Sequence, residues 1–384
     1  MAQTWPITNR KIIALRVVDT LAAPLYLVVR RLSSRDGIVT DTFQRILVVE
    51  LWHIGDVVLS TTALRVLRRA FPSAKLTLLA KPYAAELLAN SDLVDEIVVF
   101  DFPWTASSGK YDPRRYHMGE IAALVRQLRA ERFDLSVDVR MDIRSNLLTC
   151  AIGAKRRLGY DFGGGSGLLT DRVPASPDSN HKVMDWLMLL RPLIPGLAEG
   201  VTNDESFAPT LTVTREEQES AQSFLREHGV QQGDTIVGIH PGASVGRRRW
   251  PLANFGQVAD RLAERHGTKT LVFVDPEGVG ADLQLRTPPV FARGALREFM
   301  ALVSLCDVLV CNDSGPMHIA DALGVWVVGV FTTGNPRWHR PYREDQRFVG
   351  RGTGHQILDY PTVEDVLAAA EAALSVDEVA EPAR

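Results

Sequence analysis

Six consecutive residues, Asp313-Ser314-Gly315-Pro316-Met317-His318, combine the residue types that can hold an anion. They separate two apolar runs rich in valine, 308–310 and 327–330, so the segment reads as strand, tight polar turn, helix and strand. Ser314 or Asp313 can cap the helix, Pro316 suits its first turn, and Gly315 lets backbone N–H groups come close to a ligand. A helix N-terminus carries unpaired N–H donors and about half a positive charge, so a phosphate can be held there without a lysine. His318, one helical turn in, either reaches a phosphate or braces the turn. An ordinary capped turn is the alternative that the neighbouring loops must argue against.

Two of those loops carry matching chemistry. After an apolar run at 235–239 comes His240-Pro241-Gly242-Ala243-Ser244, followed by Arg247-Arg248-Arg249-Trp250-Pro251. Gly242, Ala243 and their small neighbours can form a nest of backbone donors, and arginines there can pair with phosphate oxygens through two N–H groups. The arginine run has a plainer reading as a solvated face. Gly55-Asp56 follows the run RILVVE at 45–50 and precedes a helical pattern at 57–69. Asp56 there is either a capping carboxylate or a general base that takes a proton from an attacking hydroxyl, with His53 the second candidate. In Asp275-Pro276-Glu277 an acidic side chain either holds ribose hydroxyls or serves a surface turn.

These loops need a scaffold that brings them together. Strand signals at 45–50, 76–80, 97–100 and 135–139 alternate with helical patterns at 57–69, 84–90 and 118–131, which implies a parallel sheet with helices on both faces. A proline-punctuated stretch at 171–209 surrounds a helix near 183–190. A second series follows, with strands at 235–239, 270–274, 308–310 and 327–330 between helices at 215–228 and 363–374. The expected organisation is therefore α/β with an N-terminal extension at 1–40 and two doubly wound domains at 41–205 and 206–384. Open α/β sheets bind ligands beyond the carboxyl ends of their strands, so the loops after Val49, Ile239, Val274 and Val310 should meet in one interdomain cleft.

A length of 384 residues with 46% hydrophobic content suffices for two cores, and a net charge of −3 gives no general attraction to nucleic acid. Cys150, Cys306 and Cys311 lie in apolar surroundings without a CxxC pair, which favours core thiols in a reducing compartment over disulfides or zinc. No Asp/His cluster has metal-ligand spacing, and the serine-hydrolase and P-loop signatures are absent. The glycine-rich run at 163–167 follows no apolar strand and reads as a flexible acceptor-side loop. The apolar stretch at 12–29, flanked by Arg10, Lys11, Arg30 and Arg31 but broken by Arg16, Asp19 and Pro24, is either an interfacial helix or a helix packed on the domain behind it.

Three blocks together resemble glycosyltransferase family nine, the bacterial heptosyltransferase-like enzymes of lipopolysaccharide core assembly. They are Gly55-Asp56 with Leu64-Arg65 and Phe71-Pro72, His240-Pro241-Gly242-Ala243 with Arg248, Trp250 and Pro251, and Asp313 to His318. The resemblance implies a GT-B architecture, two Rossmann-like domains with acceptor on the N-terminal half and nucleotide-sugar on the C-terminal half. It implies inverting transfer without a metal or other cofactor, onto a lipid-linked glycan at the cytoplasmic face of the membrane. Asp56 aligns with the family's proposed base, the Asp313 to His318 turn with its donor diphosphate site, and Glu277 with an acidic residue near the donor ribose. Arg248 stands where the family usually has lysine. The acceptor-side candidates are then His53 and Gly55, and the best-known donor of the family is ADP-heptose. A nucleotide-sugar epimerase and a non-catalytic nucleotide-sugar-binding scaffold are the competing readings.

Overall fold

The computed structural model describes residues 42–106, 112–162, 164–175, 181–197, 199, 204–343, 347–352 and 356–377, and in the N-terminal stretch residues 19, 20, 22–24 and 26–28. The first half is built on six parallel strands, β1 (Arg45–Glu50), β2 (Lys75–Ala80), β3 (Glu96–Val99), β4 (Leu135–Asp138), β5 (Arg156–Tyr160) and β6 (Asp171–Val173). Their order in the sheet is β3-β2-β1-β4-β5-β6. The sheet is covered on both faces, which is why β1 and β2 are near-continuous apolar runs without alternation. Helices α1 (Ile54–Ala70), α2 (Tyr83–Leu87), α3 (Met118–Ala130), α4 (Ile143–Ile152) and α5 (Lys182–Leu190) follow the strands.

A second sheet repeats the plan. Its strands are β7 (Ile236–His240), β8 (Lys269–Phe273), β9 (Val290–Ala292), β10 (Val308–Asn312), β11 (Trp326–Val330) and β12 (Arg347–Val349), in the order β12-β11-β10-β7-β8-β9. Helices α6 (Arg215–Glu227), α7 (Leu252–His266), α8 (Leu296–Val303), α9 (Gly315–Leu323), α10 (Pro336–His339) and α11 (Val363–Asp377) accompany it, with a small antiparallel pair β13 (Arg351–Gly352) and β14 (Ile357–Asp359). In each sheet the strand order reverses at one point, between β1 and β4 and between β7 and β10, which is where ligand crevices of this architecture form. Strands β5, β6, β9 and β12 were not anticipated. They lack long β-branched runs, and β5 is RRLGY, whose fully buried Arg157 donates to the carbonyls of Ala154 and Leu168.

The two halves share packing. The core around β1 and α1 also takes in Met300, Ile319 and Tyr342 from the second half. The connecting segment is stitched to α1: Arg65 donates to the carbonyls of Ser206 and Ala208 at 2.8 Å each, Thr62 Oγ1 donates to Phe207 O, and Thr210 N donates to Thr61 Oγ1. Leu211 N then donates to Ala322 O of α9. Arg65, one of the motif residues, therefore serves the join between the sheets.

Most of the apolar stretch at 12–29, with Arg10, Lys11, Arg30 and Arg31, lies outside the described residues. The described part is helical and packed: Tyr26 is buried against Cys150 and Leu168, and Asp19 Oδ1 accepts from Gly165 N at 2.6 Å. Gly163 is likewise outside the described residues. Residues 164–168 are held rather than free, since Gly164 O accepts from Asn146 and Gly167 lies against Tyr26, which corrects the expected flexible loop. All three cysteines are buried and free. Among the described residues no helix is long and apolar enough to cross a membrane.

Candidate active site between the two sheets

A cavity of about 680 Å³ opens between the sheets, lined by the loops after β1, β7, β8 and β10 together with residues 292–302. The four loops expected to converge do so. Gly242, Ala243 and Ser244 line one side, Asp275, Pro276 and Glu277 another, and Ser314, Gly315 and Pro316 face them beside His53, Ile54 and Gly55. Phe273, Ala292, Phe299 and Leu302 give it an apolar slot, a shape suited to a flat ring. This slot was missed because β9 and α8 carry no motif.

The two helix N-termini that carry the motifs touch. A Cβ on Gly55 would come within 2.6 Å of His318 Cδ2, and a Cβ on Gly315 within 2.9 Å of Ile54 Cγ2. Both glycines are therefore required by the approach of α1 to α9. Helix α1 begins at Ile54, earlier than the sequence pattern suggests, so Asp56 sits inside its first turn and its Oδ2 accepts from His53 N at 3.2 Å. Successive residues of one turn point to different sides. Gly55 faces the large cavity, whereas Asp56 lies on the other side, in a small recess lined by Glu50, Arg140, Lys182 and Trp186.

Asp56 is one-fifth exposed and its Oδ1 is 2.8 Å from Arg140 Nη2. Burial alone would push its carboxyl up, but Arg140, then Lys182, His339 and His53, outweigh it and hold it down at about 2. The buried imidazoles nearby are kept neutral: burial lowers His318 and His240 to about 4 and depresses His339 well below its ordinary value. Nδ1 of His240 and of His318 are buried without a hydrogen-bond partner among the described residues, and His240 lines the cavity.

The remaining predicted residues take less direct positions. Ser314 stands at the N-cap of α9, yet its hydroxyl donates back to Asn312 O at 3.1 Å, so neither it nor Asp313 caps the helix with its side chain. The first-turn N–H groups of α9 stay without a side-chain cap. Asp313 is almost fully buried and faces Arg248, with Nη1 to Oδ2 at 3.4 Å. Burial raises Asp313 against the pull of Arg248. Met317 is in the core and contacts Gly329. Glu277 is largely exposed and paired with Arg249, which also donates to Ala243 O at 2.7 Å. Trp250 is buried in the core behind β7, with its backbone N–H donating to Asn312 Oδ1 at 2.9 Å and its indole N–H to Pro361 O at 3.0 Å, so its place in the motif is a packing one.

Two Rossmann-type parallel sheets facing a nucleotide-sized cavity are the GT-B architecture of nucleotide-sugar enzymes. The profile of Glycosyltransferase family 9 (heptosyltransferase) matches residues 121–364, and the chain belongs to that family. It is 23% identical over 329 residues to lipopolysaccharide heptosyltransferase 2 of Escherichia coli K12, covering 81% of this chain and 89% of that one. Lipopolysaccharide core heptosyltransferase OpsX of Haemophilus influenzae is 22% identical over 314 residues, with 79% and 83% covered. Among solved structures, a family 9 glycosyl transferase from Veillonella parvula superposes with a TM-score of 0.72 at 25% identity, covering 87% of this chain and 98% of that one. The E. coli ADP-heptose lps heptosyltransferase II superposes with a TM-score of 0.70 at 22% identity, covering 87% and 100%.

Proposed function

We propose that this chain is an inverting heptosyltransferase that moves a heptose from ADP-heptose onto a lipopolysaccharide core or related lipid-linked glycan. The observation that carries the reading is the placement of Gly55 and Asp56 on opposite sides of one helical turn. A nucleotide-sugar filling the large cavity brings its sugar end to that turn, with the carboxylate of Asp56 just beyond it. In this reading residues 41–205 bind the acceptor and residues 206–384 the donor. The purine lies in the slot of Phe273 and Phe299, the ribose near Asp275 or Glu277, and the diphosphate against Gly242, Ala243 and the N–H groups of Ser314, Gly315 and Met317.

The acceptor hydroxyl oxygen forms a bond to the anomeric carbon from the face opposite the diphosphate. The bond from that carbon to the diphosphate oxygen breaks, its electron pair leaves with the nucleotide, and the hydroxyl proton passes to Asp56. A carboxyl held at about 2 is a weak base. It suffices because the hydroxyl becomes strongly acidic as its oxygen bonds to an oxocarbenium-like carbon. Charge growing on the leaving diphosphate meets the uncapped N–H groups of α9 and Arg248, so these residues can do the work given elsewhere to a divalent ion. Such an enzyme acts on the cytoplasmic side, and exposed Leu27 and Val28 on the N-terminal helix offer it a peripheral lipid contact.

Calorimetry against ADP-, GDP-, UDP- and dTDP-sugars, followed by mass analysis of truncated lipopolysaccharide acceptors, tests the reading. The expected result is selective ADP-heptose binding, weakened in Arg248→Ala and Asp313→Ala, and one added heptose. A product formed without acceptor would favour an epimerase, and absence of binding across the panel would favour a scaffold.

A further inference from the structure

The switch point of the first sheet holds a cluster outside the large cavity. Glu50 ends β1, Asp138 ends the adjacent β4, and Arg140 lies two residues beyond. The Arg140 guanidinium stacks on Trp52, 4.5 Å from the ring centroid, with Nη2 2.8 Å from Asp56 Oδ1 and 3.9 Å from Glu50 Oε1. Its backbone N–H donates to Asp138 Oδ1 at 2.8 Å, and Glu50 Oε1 accepts from Trp52 N at 3.1 Å. Three carboxyls thus surround one arginine, with Lys182 at the edge of the recess.

Buried carboxyls around a single cation cannot all ionise. Burial drives Glu50 up to about 8 and Asp138 up to about 7, so at neutral pH the cation is matched chiefly to Asp56. Among the residues lining the nucleotide cavity, His53 joins the arrangement through its backbone N–H, which donates to the other carboxylate oxygen, Asp56 Oδ2, at 3.2 Å.

Resting on the transferase reading above, we propose that Arg140 is the positioning residue of the reaction centre: stacked on Trp52 and anchored through Asp138, it holds one oxygen of Asp56 and fixes the orientation of that carboxylate. Glu50, left neutral beneath it, does not compete for the guanidinium.

The direct test needs neither donor nor acceptor. In protein carrying 13Cγ-labelled aspartate, the Asp56 signal is identified by its loss in Asp56→Asn and followed against pH in wild type, Arg140→Met and Arg140→Lys. Wild-type Asp56 is expected to stay ionised down to about pH 3, Arg140→Met to titrate above about 4, and Arg140→Lys to lie between. A wild-type midpoint near the ordinary aspartate value, or an unmoved midpoint in a folded Arg140→Met, overturns the proposal. If Arg140→Met does not fold, Arg140→Gln is read in its place. In transfer assays with ADP-heptose and core lipopolysaccharide, Arg140→Met should lower kcat at least about tenfold and raise the acidic limb of its pH profile. Donor KM should stay within about threefold. Wild-type protein that shows the titration but transfers to no acceptor would contradict the heptosyltransferase reading and leave the ion pairing established.

Discussion

At the switch point of the first sheet stands a largely buried group of ionisable side chains, Glu50 and Asp138 from the ends of β1 and β4, Arg140 just beyond β4 and Asp56 from the first turn of α1. At the matching point of the second sheet the surface is made of backbone and small residues, Gly242, Ala243, Ser314 and Gly315, with Asn312 clamping the loops by hydrogen bonds to Trp250 N and Pro241 O. The strand order is the same in both. A phosphate needs donors at fixed positions, which a helix N-terminus supplies without titrating. A proton acceptor needs a side chain whose charge is set by its neighbours, and that requires partners from elsewhere in the chain. In the proposed function, equivalent frames thus carry binding on one side and proton chemistry on the other.

The largest effect should come from breaking the charged side alone. Asp56→Asn is expected to reduce transfer by about 10²- to 10⁴-fold while calorimetry still finds nucleotide-sugar bound near wild-type affinity. Equal loss of both would dissolve the contrast between the two sides. On the backbone side, Gly315→Ala places a methyl 2.9 Å from Ile54 Cγ2 and should part the two helix ends. Donor binding should weaken about tenfold, and adding Ile54→Ala should recover most of it; a double variant no better than the single one would show that the glycine is needed for another reason.

A stability measurement sharpens the comparison further. Glu50 is raised from 4.5 to about 8 by burial, so the folded state keeps a proton that the unfolded chain releases. Stability must then fall as pH rises between those two values, on the order of a few kcal/mol in total. Glu50→Gln removes that dependence, and its advantage in melting temperature over wild type should grow from pH 5 to pH 8 and level off above. A constant gap would mean that Glu50 is already ionised in the fold. The smallest effect belongs to Glu277→Ala. Its carboxylate is 65% exposed and paired with Arg249, so donor KM should change by less than about threefold. A larger change would make Glu277 a true ribose contact and leave Asp275 with the lesser part.

The sequence alone determined the alternation of strands and helices, the convergence of four loops on one cleft, the family, and the strand, turn and helix around Asp313 to His318. These are local signals: apolar runs the length of a strand, glycines at close approaches, and motifs contiguous along the chain. It overstated the direct part of Ser314 and Asp313 as caps, because a polar residue before a helix does not reveal that its hydroxyl turns to Asn312 or its carboxylate to Arg248. Only the tertiary structure decided that Gly55 and Asp56 face different sides and that Arg140, 84 positions from Asp56, is its partner. The apolar slot of Phe273 and Phe299 also needed it, as did the packing of Tyr26 on the domain. Each depends on groups far apart in the chain meeting at a few ångströms, where burial and a neighbouring charge, rather than residue type, set which carboxyl is ionised.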